Sequence, residues 1–489
     1  MTDRAGMDIS PLTWWRSSVM ANAAKDPFWQ AKVSTEVSKY PKWKKMIEAK
    51  CASCHGTIGQ FEANQSGSGD YNLKALLEDP LAMDGVSCTV CHQIKDATLG
   101  NAVNFSGDLL FDRGRKIYGP HRAPFVHPME RHVNYIPTYS PHITRSELCA
   151  TCHTLFTPIL DNQGTSKGEM PEQVTYLEWK NSGYPARNIQ CQDCHFENTE
   201  DPQVIASRPP FLNARLPYAK HSLVGANVFL LNLLRDYAQT LNLTAEPEHL
   251  RQTFNKTLER LQKETVVLEA DARWSNERTM DIRVTVKNQS GHKFPTGFPS
   301  RRSWIALTIR NEEGQAIFES GAWDKAIGEI FGLDEPCESH HDLIFRPDQV
   351  QVYESIMQDL NGGATYTLMG AAGYRKDNRI PPKVFGTTAP DYRHVAIHGQ
   401  AGEDSNFNRE GKKEGTGTDR VTYRIGNLTP QKAYSVEILL LYQNITPRFA
   451  NDLFGHKTTF TEKFKEFHNS TERRPVLIDS VALSSRKKS

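Results

Sequence analysis

Cys51-Ala-Ser-Cys54-His55 is followed along the chain by Cys88-Thr-Val-Cys91-His92, Cys149-Ala-Thr-Cys152-His153 and Cys191-Gln-Asp-Cys194-His195. Eight of the nine cysteines fall in these four copies of one pattern. At the chain's own frequencies of cysteine and histidine, one chance copy is expected in about 0.006 of such chains, so four copies require a common chemistry. That chemistry is c-type haem attachment. Two thiols three positions apart each form a thioether to one haem vinyl group, and the adjoining histidine meets the iron from the proximal side.

Zinc and disulfides are the competing uses of paired cysteines. Zinc ribbons place their CxxC pairs about 15–20 residues apart. Here the motif histidines are 37, 61 and 42 residues apart and a histidine follows every pair. Disulfides within the motifs would leave those histidines without a task. Four haems also alter the packing. The 145 residues from Cys51 to His195 supply about 36 per haem, so the macrocycles become much of the core and the apo form is expected to be largely unfolded there. The modest apolar content, 38%, fits an interior filled partly by porphyrin.

A length of 489 residues suggests two or three domains. The formal charge of +1 and the lack of a long basic block argue against nucleic-acid partners. Four haems with neutral axial ligands would bring the charge to about -3 oxidised and about -7 reduced, favouring a redox partner with a basic patch. Apolar runs such as Val228 to Leu234 fall far short of the about 20 residues a membrane helix needs. The first twenty residues carry no secretory signal pattern. Because attachment needs reduced thiols delivered outside the cytoplasm, the mature protein is expected in a periplasm or at the cell exterior.

Each iron needs a sixth ligand unless its site is open for chemistry. His121, His127, His132 and His142 crowd the interval between the second and third motifs, in a proline-rich stretch that reads as an extended wrap. His221 stands near a helix start, where it could point back at the last haem. His292 lies in a Gly/Pro loop between two strand-like runs and could face a neighbouring domain. His340 and His341 follow the ninth cysteine, Cys337, which reads as a free structural thiol rather than part of a second metal site. Met20 is a thioether candidate, with core packing as the alternative.

The expected organisation is a haem domain over residues 1–245, a connecting helix over 246–264 and a β domain over 265–489. Residues 1–50 read as helical, with Trp14, Trp15, Val19, Phe28, Trp29 and Val33 on an irregular apolar face. Gly56 to Asp70 reads as a surface loop. Leu250, Phe254, Leu258 and Leu261 have helical spacing from about Glu248 to Lys263. From Val266 the period becomes two. Ile282, Val284 and Val286 alternate, as do Ile305, Leu307 and Ile309, Val421, Tyr423 and Ile425, and Val436 and Ile438, with Val476 and Ile478 as a further strand; together they suggest a β-sandwich. The charged, Gly-rich stretch Gln400 to Asp419 reads as a mobile loop.

Beyond the four motifs, Met20 to Pro27, Tyr176 to Ser182, Cys191 to His195, His221 to Asn227, Gly291 to Arg302 and Lys376 to Arg379 resemble tetrahaem c-type cytochromes. These join a multihaem domain of the cytochrome c554 type to a C-terminal immunoglobulin-like β domain. The resemblance implies a mixed fold, four covalent haems held by Cys51, Cys54, Cys88, Cys91, Cys149, Cys152, Cys191 and Cys194 with His55, His92, His153 and His195 as proximal ligands, and electron transfer as the activity. It favours His221 and His292 as functional positions, and His340 to a lesser degree. Phe196 departs from the pattern, since such proteins often carry Met directly after the fourth motif. Three roles stand open at this point: an electron carrier with six-coordinate haems, a reductase or oxidase of a small nitrogen or sulfur compound at one open haem, or a unit that polymerises or docks through its β domain. Related multihaem nitrite reductases have Lys in place of a motif histidine, whereas all four motifs here end in His, which favours a carrier.

Overall fold

A computed structural model describes residues 1–67, 71–205, 211–333, 336–429 and 432–486. Its two compact units each draw on separated stretches of chain. The first comprises Met1–Leu155, Asn188–Leu258 and His456–Thr471; the second comprises Phe156–Arg187, Glu259–Gly455 and Glu472–Ser489. Thus 156–187, expected with the haem domain, counts with the strands, and 456–471 counts with the helices.

The first unit is built from short helices. Helix α1 (Pro27–Lys39) starts with Pro at its first position, where a missing N–H costs nothing, and Asp26 caps it by accepting from the Phe28 amide at 2.8 Å. Helix α2 (Lys44–His55) ends in the first motif. Helix α3 (Thr57–Ser66) occupies ground expected to be a loop over Gly56 to Asp70; residues 68–70 lie outside the described residues. The apolar signal there is only Ile58 and Phe61, which pack on the cluster around Val86, Val90 and Ile94. Gly59 is what allows the close approach, because a Cβ there would meet Tyr71 Oη at 2.2 Å and Ala82 Cβ at 2.8 Å. A second apolar cluster gathers Ala24, Trp29, Val33, Ala52, Leu73, Leu76 and Ala82 around α1 and α2.

The stretch expected as a continuous extended wrap is also more structured. Strands Lys116–Gly119 and Ile136–Tyr139 pair in parallel, with a helix, His127–Val133, between them. Downstream, α4 (Val228–Asp236) buries Val228, Leu230, Leu231, Leu233 and Leu234. Helix α5 (Pro247–Lys263) forms where its spacing predicted, with Leu250, Thr253, Thr257 and Leu261 buried.

Two larger sheets dominate the second unit, beside two-stranded pairs over 155–173 and 409–414. In chain order the strands of the larger sheets are β1 (Val266–Trp274), β2 (Met280–Asn288), β3 (Arg302–Arg310), β4 (Ala316–Ser320), β5 (Leu343–Ile344), β6 (Val352–Gln358), β7 (Gly373–Asp377), β8 (Thr418–Ile425), β9 (Ala433–Gln443) and β10 (Val476–Arg486). One sheet runs β1-β2-β8-β5, the other β7-β6-β3-β9-β10 with β4 on β3. Ile282, Val284 and Val286 are wholly buried, as the period of two requires. Central strand β3 is buried on both faces over Arg302 to Leu307, so its apolar residues do not alternate with exposed ones. The amide of Leu268 on β1 donates to Asp479 Oδ2 on β10 at 2.8 Å, linking the two sheets.

Gln400 to Asp419 is not the loose loop its composition suggested. Short strands Arg409–Glu410 and Lys413–Glu414 pair within it, and Phe407 and Asp419 are fully buried. Polar side chains supply the order there: Asn408 Nδ2 donates to Phe385 O at 2.9 Å, and Asn408 Oδ1 accepts from Gly417 N at 3.1 Å.

Candidate haem-binding site

Three motifs sit on a helical turn, at the end of α2 or in the segments Cys88–His92 and Cys191–His195, while the third begins at the end of the helix Glu147–Ala150 and closes its turn just beyond it, where the His153 amide donates to Cys149 O at 3.0 Å. A turn places residues i, i+3 and i+4 on one face, so both thiols and the imidazole of each motif point the same way. The rings are oriented from behind by backbone carbonyls. His55 Nδ1 bonds Ala23 O at 3.1 Å, His92 Nδ1 bonds Tyr118 O at 2.5 Å and His195 Nδ1 bonds Val224 O at 2.5 Å. A carbonyl only accepts, so each Nδ1 carries the hydrogen and each Nε2 presents a lone pair, the tautomer a metal-ligating histidine needs. Burial lowers the pKa of His55, to about 4, and that of His92, which keeps both rings neutral.

The turns are tied to one another. Gly107 donates to Thr151 O at 2.9 Å, and with no side chain it lies against Cys54, where a Cβ would stand 2.9 Å from Sγ. Between the third and fourth turns, Ser146 Oγ accepts from the Cys191 amide at 2.9 Å and donates to Gln190 Oε1 at 2.9 Å. The thiols of Cys54 and Cys152 are neighbours, as are those of Cys149 and Cys191, and all four are free. These thiols stand where thioether sulfurs would be after attachment.

His221 faces His92 of the second motif, not the last motif as its position suggested. The two ring centroids are 6.3 Å apart with planes 26° from parallel. Two imidazoles sharing one metal at about 2.0 Å each have centroids about 6 Å apart, so the spacing fits an iron between them. His221 Nδ1 bonds Ala219 O at 2.8 Å, which leaves Nε2 as its lone-pair nitrogen, and burial lowers its pKa to about 4. The sequence misplaced it because the strap after residue 217 turns back through left-handed residues His221 and Leu223, which no glycine announces.

His142 is 1% exposed, its Nδ1 shares a hydrogen with Ser140 Oγ at 2.6 Å, and its Nε2 is buried with no partner. A bare buried imidazole nitrogen costs about 1–3 kcal/mol unless something coordinates it. His127 and His132 are exposed on their helix. His121 lines a cavity of ≈ 430 Å³ with Arg122, Arg215 and Leu216. Met20 packs into the apolar cluster of Val86 and Val90.

In the second unit, His292 donates from Nδ1 to Lys293 O at 3.0 Å. It borders a buried ion network: Lys293 Nζ to Asp377 at 2.7 Å, Arg379 to Asp377 at 2.7 Å and Arg379 to Glu178 at 3.0 Å. Three segments that the sequence marked without a mechanism, around Glu178, Lys293 and Asp377, thereby meet in one cluster. Trp179 packs 3.2 Å from the position of a Cβ on Gly291.

His340 is bound differently. Its Nδ1 accepts from Gln351 Nε2 at 2.9 Å and Asn378 Nδ2 at 3.0 Å, while Nε2 meets Asp404 Oδ2 at 3.0 Å. Both amides are fixed, because Asn378 Oδ1 accepts from Glu354 N and Gln351 Oε1 accepts from His341 N. Nε2 therefore carries the hydrogen, and neither ring nitrogen is left to bind iron. His341 pairs with Glu338 at 3.0 Å.

One contact had no sequence signal. The Trp29 ring stacks on His55 at 4.5 Å with planes 8° apart. Trp29 reads as core by its spacing, and only the fold shows which group it covers.

No protein-family model matches the chain, and no curated protein matches it. Among solved structures, a penta-heme cytochrome c552 from Thermochromatium tepidum matches 98% of this chain and 97% of its own, with a TM-score of 0.54 and 15% identity. The fold is that of a multihaem cytochrome c. The match runs through nearly the whole of both chains, and among the described residues no helix is long and apolar enough to cross a membrane.

Proposed function

We propose that the chain is a tetrahaem c-type cytochrome that relays electrons between redox proteins. The observation that carries this reading is the shared tautomer of His55, His92 and His195, each turned by a backbone carbonyl to present Nε2 beside its two thiols. Haem held there supplies one-electron transfer. The chain's own residues would fix its ligands: His92 with His221 on one axis, His142 as the buried donor for another, and His292, beside its ion network, as a third. Six-coordinate sites favour carrying electrons over binding a small substrate.

The strand-rich unit, read as an immunoglobulin-like sandwich, would serve as a rigid frame, and the proposed domain plan keeps 1–245, 246–264 and 265–489 as its outline with 156–187 moved to the strand-rich unit and 456–471 to the helical one. A periplasmic or extracellular site and redox protein partners follow from the attachment chemistry. Ferric spectra test the reading: low-spin signals throughout support a carrier, and a high-spin fraction of about one haem in four would instead support an open, substrate-binding site.

A further inference from the structure

The second and fourth motif turns are joined by a strap, Lys220 to Val224. It is fastened to the fourth turn and its flank at both ends. The Lys220 amide donates to Glu197 O at 3.0 Å and the Val224 amide to His195 O at 3.2 Å, while His195 Nδ1 donates to Val224 O at 2.5 Å. Between these fastenings, His221 reaches to His92 of the second turn. Phe196, directly after the fourth motif, sets its ring against His221 at a centroid distance of 5.1 Å and 61°.

The strap is also conformationally committed. His221 has φ 64° and Leu223 φ 49°, a left-handed backbone that residues other than glycine adopt only at a cost. Such conformations persist where the surroundings over-determine them. A short segment pinned at both ends with two such residues has little freedom to absorb a displacement at one end.

We propose that the strap is a positioning element that couples the second and fourth haem sites, tying the imidazole that backs one iron to the imidazole that closes the other. The proposal rests on the haem reading above and on His221 as the partner of His92. The hydrogen bond behind a ligating histidine tunes its basicity. A more electron-poor His195 donates a stronger bond to Val224, the strap draws toward the fourth turn, and the His221 ring follows.

The test uses matured holoprotein carrying His221→Gly, with ferric electron paramagnetic resonance as the readout and free imidazole as the probe. The expected result is loss of one low-spin signal, with a shift in a second, and restoration by imidazole of the first alone, because imidazole refills the axial position without rejoining the strap. Three unaltered signals beside the lost one would overturn the coupling. So would recovery of both signals with imidazole, since the effect would then pass between the irons. No loss at all would reject His221 as a ligand, and the proposal with it; a protein without haem would instead reject the underlying reading. If His221→Gly does not accumulate, Leu223→Gly loosens the strap without removing a ligand. Two shifted signals then support the coupling, and one or none overturns it.

Discussion

His92 and His221 face each other across 6.3 Å although they lie in distant parts of the sequence. Both are backed by carbonyls, at Tyr118 and Ala219, so both present Nε2 by default. Replacing His221 with Ala is therefore expected to convert one haem in four to high spin, read from the ferric absorption and resonance spectra. The His142→Ala protein is expected to do the same at a different haem, because its Nε2 is otherwise an unpartnered buried atom.

Trp29 covers the flat face of His55 at 4.5 Å. Trp29→Leu keeps an apolar side chain but removes the stack and leaves a gap. A stability loss of about 2–4 kcal/mol is expected in denaturant titration, together with a shifted midpoint potential at one haem. Four unchanged potentials would show that the stack does not touch the site's electronics.

Asp26 is buried at the start of α1, and burial lifts its carboxyl pKa to about 7, more than the Phe28 and Trp29 amides can offset. Its folded pKa lies above the unfolded value, so the folded state holds the proton more tightly. Stability is fullest below about pH 4, falls as the pH rises toward 7 and stays lower above, by about 4 kcal/mol in all. Asp26→Asn keeps an acceptor for the Phe28 amide and should flatten that profile. Denaturation midpoints measured from pH 4 to 8 check it.

The buried pair of Lys293 and Asp377, extended by Arg379 and Glu178, is held by mutual attraction at 2.7–3.0 Å. Arg379 and Lys293 keep the Asp377 carboxyl well below the usual carboxylate range against the opposing effect of burial. Asp377→Ala leaves two cations without their shared anion, and a loss of about 3–5 kcal/mol is expected by thermal or chemical denaturation.

The turns that carry the Cys-Cys-His patterns were legible because the fixed local spacing of those residues is itself that of a helical turn. The strands were legible for a similar reason: Ile282, Val284 and Val286 follow a period of two on a half-buried sheet. What lay beyond reach depended on contacts distant in sequence. Helix α3 carries few apolar residues and forms where Gly59 lets it approach Tyr71 and Ala82 closely. The order in Gln400 to Asp419 comes from asparagine-to-backbone bonds that composition cannot show. His221 was expected to point back at the last turn and instead faces His92, since two left-handed residues reverse the chain beside it. His340 was a lesser candidate than His292 in sequence, and the amides of Gln351 and Asn378 fill its second nitrogen.

The most direct measurement is the intact mass of this protein produced in a host that matures c-type cytochromes. The account predicts a polypeptide carrying four covalently bound haems, one for each motif. A bare polypeptide, or one holding zinc at its cysteine pairs, would contradict it.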